Sequence, residues 1–133
     1  MNVMVQDPMA ALTVLQAKHR IQRFRKRFAD YGDAHLFLAY HAAFPLVLTA
    51  DLVYRMWVNF DRDEQDTLLD IPWIATADLL LSDLCHEAGY ELYEIDADVR
   101  QELLRQFRAD LRFGEPRLKE LADFLEEYSY HLR

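Results

Sequence analysis

The sequence of 133 residues holds one cysteine, three glycines and four prolines. A lone thiol, Cys85, cannot close an internal disulfide. So few glycines and prolines are too little for a fold made of many tight turns, which favours helices. No apolar run approaches the roughly 20 residues that a membrane-spanning helix needs. Met1 to Gln6 lack the basic segment and apolar core of a secretion signal. A soluble, cytoplasmic protein is expected. Glycine-rich phosphate loops and paired histidines of the H-E-x-x-H kind are also missing, so no nucleotide, metal or other cofactor is expected.

What the chain does have is apolar mass. It is 52% hydrophobic, 13% aromatic and 29% charged. That balance is globular rather than disordered. The length suits one domain, burying roughly two-thirds of its unfolded surface. The net charge of −8 is unevenly placed. Residues 1–29 carry six Lys/Arg against one acid, a net +5. Residues 30–99 carry two Arg against fifteen acids, a net −13. Either the basic front end lies along the acidic middle, or it meets an anionic partner.

The spacing predicts a helix over 8–31, with Val14, Ala17, Ile21, Phe24, Phe28 and Tyr31 forming a heptad-like seam. Arg20, Arg23 and Arg27 belong to its basic remainder. The seam docks on the chain's own core, or is shared with a second copy or with another part of a longer chain. Asp33 is expected to cap a densely apolar helix that Pro45 ends, and Thr49 to cap a third helix.

The run from Ile71 to Leu104 is the most punctuated, and the rest of the chain is expected to be arranged around it. Pro72 can open a helix. Trp73, Ala77, Leu80, Leu81, Leu84 and Ala88 then recur at helical steps, leaving Asp78, Asp83 and Glu87 on the other side. Gly89 stops that helix, and Tyr90 to Tyr93 form an extended piece. Asp96 caps a helix carrying Val99, Leu103, Phe107 and Leu111. Pro116 opens a last helix.

Candidate chemistry is thin. Asp61, Asp63 and Asp66 start like a calcium loop, but the sixth position is Asp66 where glycine is needed, and the twelfth is Pro72 where a glutamate is needed. A solvated loop is expected instead. His41 sits among apolar residues as a satisfied core histidine. Cys85 reads as a small buried hydrophobe. Arg100 falls in a first helical turn, on the wrong end of the helix dipole. It therefore needs an acid, Asp96 or one from the Asp78 face, and would form an internal latch or a surface pair worth under about 1 kcal/mol.

Three phrases, HLFLAYHAAFPLVLTADLVYRMWVNF, IPWIATADLLLSDLCHEAGYELYEIDADVRQELL and RFGEPRLKELADFL, resemble a helical domain of bacterial proteins, many of them cyanobacterial. The resemblance covers nearly the whole chain. That domain sits N-terminal to formylglycine-enzyme-like, caspase-like, ATPase or repeat modules in signalling and anti-phage systems. It has no assigned active site to carry over. The order of elements from the apolar second helix to DADVRQELL is also similar to the winged-helix part of signal-transduction ATPases.

These readings combine into an all-α single domain of five or six helices, with at most a tiny β-hairpin. Residues 1–31 form a long basic helix, 33–111 a winged-helix-like core and 115–132 a C-terminal packing helix. Trp57, Trp73, Leu80, Leu84, Leu103 and Phe107 are expected to dominate the core. The expected role is non-enzymatic: an interaction or regulatory module for a protein partner or adjoining effector, with a possible homodimer through helix 8–31. Its surfaces would involve Arg20, Arg23, Arg27, Asp78, Asp83, Glu87 and Arg100. The alternative is a small nucleic-acid binder using the basic stretch 18–27, which the pI of about 5 disfavours.

Overall fold

The computed structural model describes residues 7–132. The reading of Met1 to Gln6 as lacking a leader lies outside the described residues. The elements run α1 (Pro8–Arg27), a single 3-10 turn (Ala29–Tyr31), α2 (Ala34–Ala42), α3 (Ala50–Asn59), α4 (Ala75–Leu80), β1 (Cys85–Gly89), β2 (Leu92–Ile95), α5 (Ala97–Ala109) and α6 (Gly114–His131). The fold is mostly helical with one small antiparallel hairpin. Among the described residues no helix is long and apolar enough to cross a membrane.

The element at the centre is α2, not the run 71–104. All nine of its residues are buried. It is apolar nearly all round, so it needs cover on several sides, and α1, α3, α4 and α5 supply it. At its far end Phe107 stacks on Tyr40 and tilts against His41, while Phe113 meets both rings edge-on.

The seam of α1 docks on this core. Ala17, Ile21 and Phe24 are buried, whereas Val14 is exposed. The helix ends at Arg27 rather than at Tyr31. Phe28 turns back to stack on His35, at 4.2 Å between ring centroids, and Gly32 takes the positive φ of 65° that the following turn requires. Thr49 caps α3 as expected, its hydroxyl accepting from the Leu52 N–H at 3.0 Å. Asp33 and Asp96 hold the residue before their helices, but neither side chain caps. Each is drawn to a cation instead: Asp33 to Arg25 at 2.7 Å and Asp96 to Arg20 at 2.6 Å.

The largest departure is at 72–88. The expected helix lasts six residues, Ala75–Leu80. Ser82 then ends it. Its hydroxyl donates to the Leu79 carbonyl at 2.7 Å and accepts from the Leu84 N–H at 3.2 Å. Cys85 to Gly89 form a strand, paired Cys85 to Ile95, His86 to Glu94 and Glu87 to Tyr93, with a bulge before Gly89. Asp78, Asp83 and Glu87 therefore do not share a helical face. Leu48 bridges to Tyr93 on the hairpin's other side.

Two core expectations change with this. Trp73 stands in the turn before α4 and is 66% exposed. Leu111 lies past the end of α5 and is exposed. Trp57 and Leu80 are half-buried, while Leu84, Leu103 and Phe107 are sealed. The last helix begins at Gly114, two residues before Pro116.

Candidate interaction surfaces

Each residue singled out in the sequence has a definite place. Arg20 ties α1 to the hairpin side of the molecule, donating to the Asp83 carbonyl and to the Asp96 carboxylate. The other Asp96 oxygen meets His86 Nδ1 at 2.5 Å, and His86 Nε2 meets Glu94 at 3.1 Å. This cluster is a partly exposed latch between α1 and the hairpin. Burial pulls the pKa of Asp96 up, but its hydrogen bonds to Arg20 and His86 outweigh that and hold it below the usual carboxylate range. The Asp96 hydrogen bond raises the pKa of His86 against slight desolvation, and Glu94 adds to the rise.

Arg100 is not part of that latch. It donates to the Phe44 carbonyl at 2.8 Å, where the exit from α2 leaves a free acceptor, and its Nε is buried without a partner. Neither Asp96 nor Asp78 reaches it. Asp78 instead accepts from the buried ring of His35 at 2.8 Å, pinning α4 to α2. Asp83 makes only a loose pair with Arg23, at 3.8 Å. Glu87 is exposed on β1. Arg27 lies over the Phe28 ring at 5.5 Å. Among the described residues, Lys18, Lys26 and Arg27 make no ion pair, so α1 keeps an outward cationic side.

A second buried network was not legible in the sequence. Arg117 of α6 is 4% exposed. It bonds Glu64 at 2.9 Å and Glu120 at 3.2 Å, and lies between Phe60 and Phe113 at 5.2 Å from each ring. It also donates to the Arg62 carbonyl. Its Nη1 donates to His41 Nε2 at 2.7 Å, while His41 Nδ1 donates to the Phe37 carbonyl at 2.7 Å. His41 is thus the satisfied core histidine that its surroundings imply. Burial, helped by Arg117 and opposed by the Phe37 bond, lowers its pKa to about 3. Cys85 is pushed up to about 12 by burial and by Asp96, which makes its thiol a poor nucleophile.

The acidic loop 61–70 folds on itself. The Asp63 carboxylate accepts from the Gln65 and Thr67 N–H groups at 2.8 and 2.9 Å. Among the described residues no cluster of three His, Cys, Asp or Glu side chains could hold a metal ion.

The surface that sequence reasoning missed is apolar. Tyr54 and Val58, one turn apart on α3, are 52% and 49% exposed. Tyr54 leans on Trp57 at 5.6 Å between centroids. The Trp57 indole donates to the Ile71 carbonyl at 2.6 Å, and Trp73 follows two residues later. Tyr54, Trp57 and Val58 therefore share one side of α3, and Trp73, Ile74 and Leu81, just before and just after α4, also carry exposed apolar surface. The signal was present in the sequence: Tyr54 and Val58 fall opposite Leu52, Val53 and Met56. A separate open groove of about 1010 Å³ runs between the first turns of α1 and the length of α5, lined by Met9, Val14 and Leu104 among others.

No protein family, curated protein or solved structure was found to match this chain.

Proposed function

We propose that this chain is a non-enzymatic protein-interaction module that positions or restrains an effector in a bacterial signalling or anti-phage system. The observation that carries the reading is the α3–α4 face, where two aromatic rings and several aliphatic side chains stand in water. Exposed apolar surface that gathers into patches marks interaction sites in folded proteins, and Trp and Tyr are the residues that most often anchor them. The family resemblance supplies the setting. Docking of a second copy through α1 belongs to the same reading.

We read residues 33–111 as winged-helix-like. What supports this is the order α2, the Leu48 bridge, α3, α4 and hairpin, with Leu48 pairing to the second hairpin strand. On that reading α4 corresponds to the reading helix of a nucleic-acid binder. Its six residues, Ala75–Leu80, include no Lys or Arg.

A photo-reactive residue placed at Val58 of the full chain, in the cells that make it, should give a discrete protein adduct. Trp73→Asp should abolish it. No adduct with either chain would sink the interaction reading. The unpaired cations Lys18, Lys26 and Arg27 favour one alternative, nucleic-acid binding through 18–27. A salt-sensitive shift of duplex DNA, lost on reversing Arg23 and Arg27, is its requirement. The absence of a shift at low salt removes it.

A further inference from the structure

We infer that the open groove between α1 and α5 is closed by a second copy of this chain, the two α5 helices running antiparallel across a two-fold axis. The inference rests on that part of the reading above in which a second copy docks through α1. It leaves the α3–α4 face free.

The groove has two rims. One is the first turns of α1, whose Met9, Ala10, Thr13 and Val14 line it. No charged residue falls between Pro8 and Ala17. Met9 is 66% exposed, and Leu12, Val14 and Leu15 are exposed as well. A helical stretch that is apolar nearly all round needs cover on several sides, and α5 faces this one across an open groove. Two copies can bring these stretches together without opposing like charges, since the first cation of α1 is Lys18.

The other rim is α5. Asp98, Gln101, Arg105 and Arg108 line the same groove and are exposed. They follow one another at steps of three, four and three, a spacing that reads the same in both directions. Set against an antiparallel copy of itself, the rim places Asp98 beside the partner's Arg108, Arg108 beside the partner's Asp98, and each Gln101 beside an Arg105. Each contact is made twice, as a two-fold interface requires. A parallel pairing would put acid on acid and cation on cation, so charge selects the antiparallel mode.

The pairs within one copy leave this match open. Asp98 stands in the first turn of α5 and, among the described residues, makes no ion pair. Arg108 meets Glu115 at 2.9 Å, but both side chains are mostly in water, where such a pair is worth under about 1 kcal/mol. The floor of the groove holds the copies together. Leu104 lies close to the midpoint between Asp98 and Arg108, so the two Leu104 side chains meet near the axis, flanked by Met9 and Val14. Apolar burial there stabilises the pair, and the rim charges fix its direction and register.

The test is light scattering of the full chain at rising concentration. The mass should climb to that of two chains and stop. Val14→Glu should hold it at one chain. Asp98→Arg leaves the rim without an acid, and Arg108→Asp puts an acid at each end, so each of these variants alone should stay monomeric. All three positions are exposed, so circular dichroism should report unchanged folding. The decisive arm mixes the two charge variants in equal amounts. Each supplies the sign the other lacks, so the mixture should regain the mass of two chains. A monomeric wild type, a mixture that stays monomeric, a mass beyond two chains, or a wild-type dimer indifferent to both charge changes overturns the inference. The adduct at Val58 separates this failure from that of the broader reading, because α3 lies outside the groove. A monomer that still forms the adduct ends the pairing and keeps docking through α3–α4. A dimer that obeys the charge changes and forms no adduct keeps the pairing and ends that docking.

Discussion

Arg117 shows what one residue does in this core. A buried guanidinium is stable only if its donors are matched, because desolvating a charge costs several kcal/mol. Here Glu64, Glu120, His41 and the Arg62 carbonyl take them. Arg117→Met should lower unfolding free energy by about 3–5 kcal/mol, the usual cost of breaking a buried ionic network. Arg117→Lys should recover only part of that, since an ammonium cannot reproduce the planar fork. Urea titration would check both. His41 adds a pH signature. Its folded pKa of about 3 lies below the ordinary imidazole value of about 6.5. Between the two values the unfolded chain binds a proton that the native one does not, so this contribution to stability is full above about 6.5 and is lost as pH falls toward 3. The slope approaches about 1.4 kcal/mol per pH unit. Nuclear magnetic resonance should find the His41 ring neutral throughout mildly acidic solution. A ring charged there would refute the hydrogen-bond pattern given above. Trp73→Ala should change stability by less than about 0.5 kcal/mol, as exposed substitutions usually do, while Phe107→Ala should cost about 3–5.

At the scale of elements, the hairpin is where sequence and structure part. Helices α3 and α6 are legible because apolar steps of three and four coincide with a capping threonine or with glycine and proline, and α5 is legible from its apolar steps alone. The stretch from Leu80 to Ala88 keeps the same steps, yet it is not a helix. The deciding signal is Ser82, which closes the turn through its hydroxyl and lets the chain reverse. Cys85 to Gly89 has no alternation and little β-propensity of its own, so its strand rests on the partner LYEI and on the ion cluster at its base. The candidate surfaces were half legible. The unpaired side of α1 follows from composition, but Trp73 looked like core because Pro72 hid the turn in which it stands. The hairpin's reliance on His86 is itself testable. The folded pKa of His86 is raised, so its contribution is complete below about 6.5 and is lost as pH rises through the folded value. That sign is opposite to that of His41. Hydrogen exchange of the β1 and β2 amides should be slower in wild type than in His86→Gln under mildly acidic conditions, and equal under alkaline ones. A difference that persists in alkali would mean that the ring acts by packing rather than by charge.

The whole molecule is organised so that no helix can leave alone. One cluster of buried side chains joins Ile21 and Phe24 of α1, the length of α2, Met56 of α3, Leu79 of α4, Phe107 of α5 and Leu121 of α6. The ionic contacts follow the same plan, since Arg20 bonds α1 to the residue before α5, Asp78 bonds α4 to α2, and Arg117 bonds α6 to α2 and the 61–70 loop. A chain built this way should unfold in one step. The two tryptophans report from the α3–α4 side, while circular dichroism reports chiefly from α1, α5 and α6. Urea transitions followed by the two signals should coincide. Deleting residues 114–133 gives the stronger form of the test. It strips Arg117, Leu118 and Leu121 from the core and leaves the ring of His41 without its Nε2 donor. Both signals should then be lost together, including the tryptophan environment on the α3–α4 side, which α6 meets at one edge, where Tyr128 donates to Asp51. A truncated chain that kept native α3–α4 fluorescence would mean that residues 33–111 fold as an independent unit, with α6 merely resting on it.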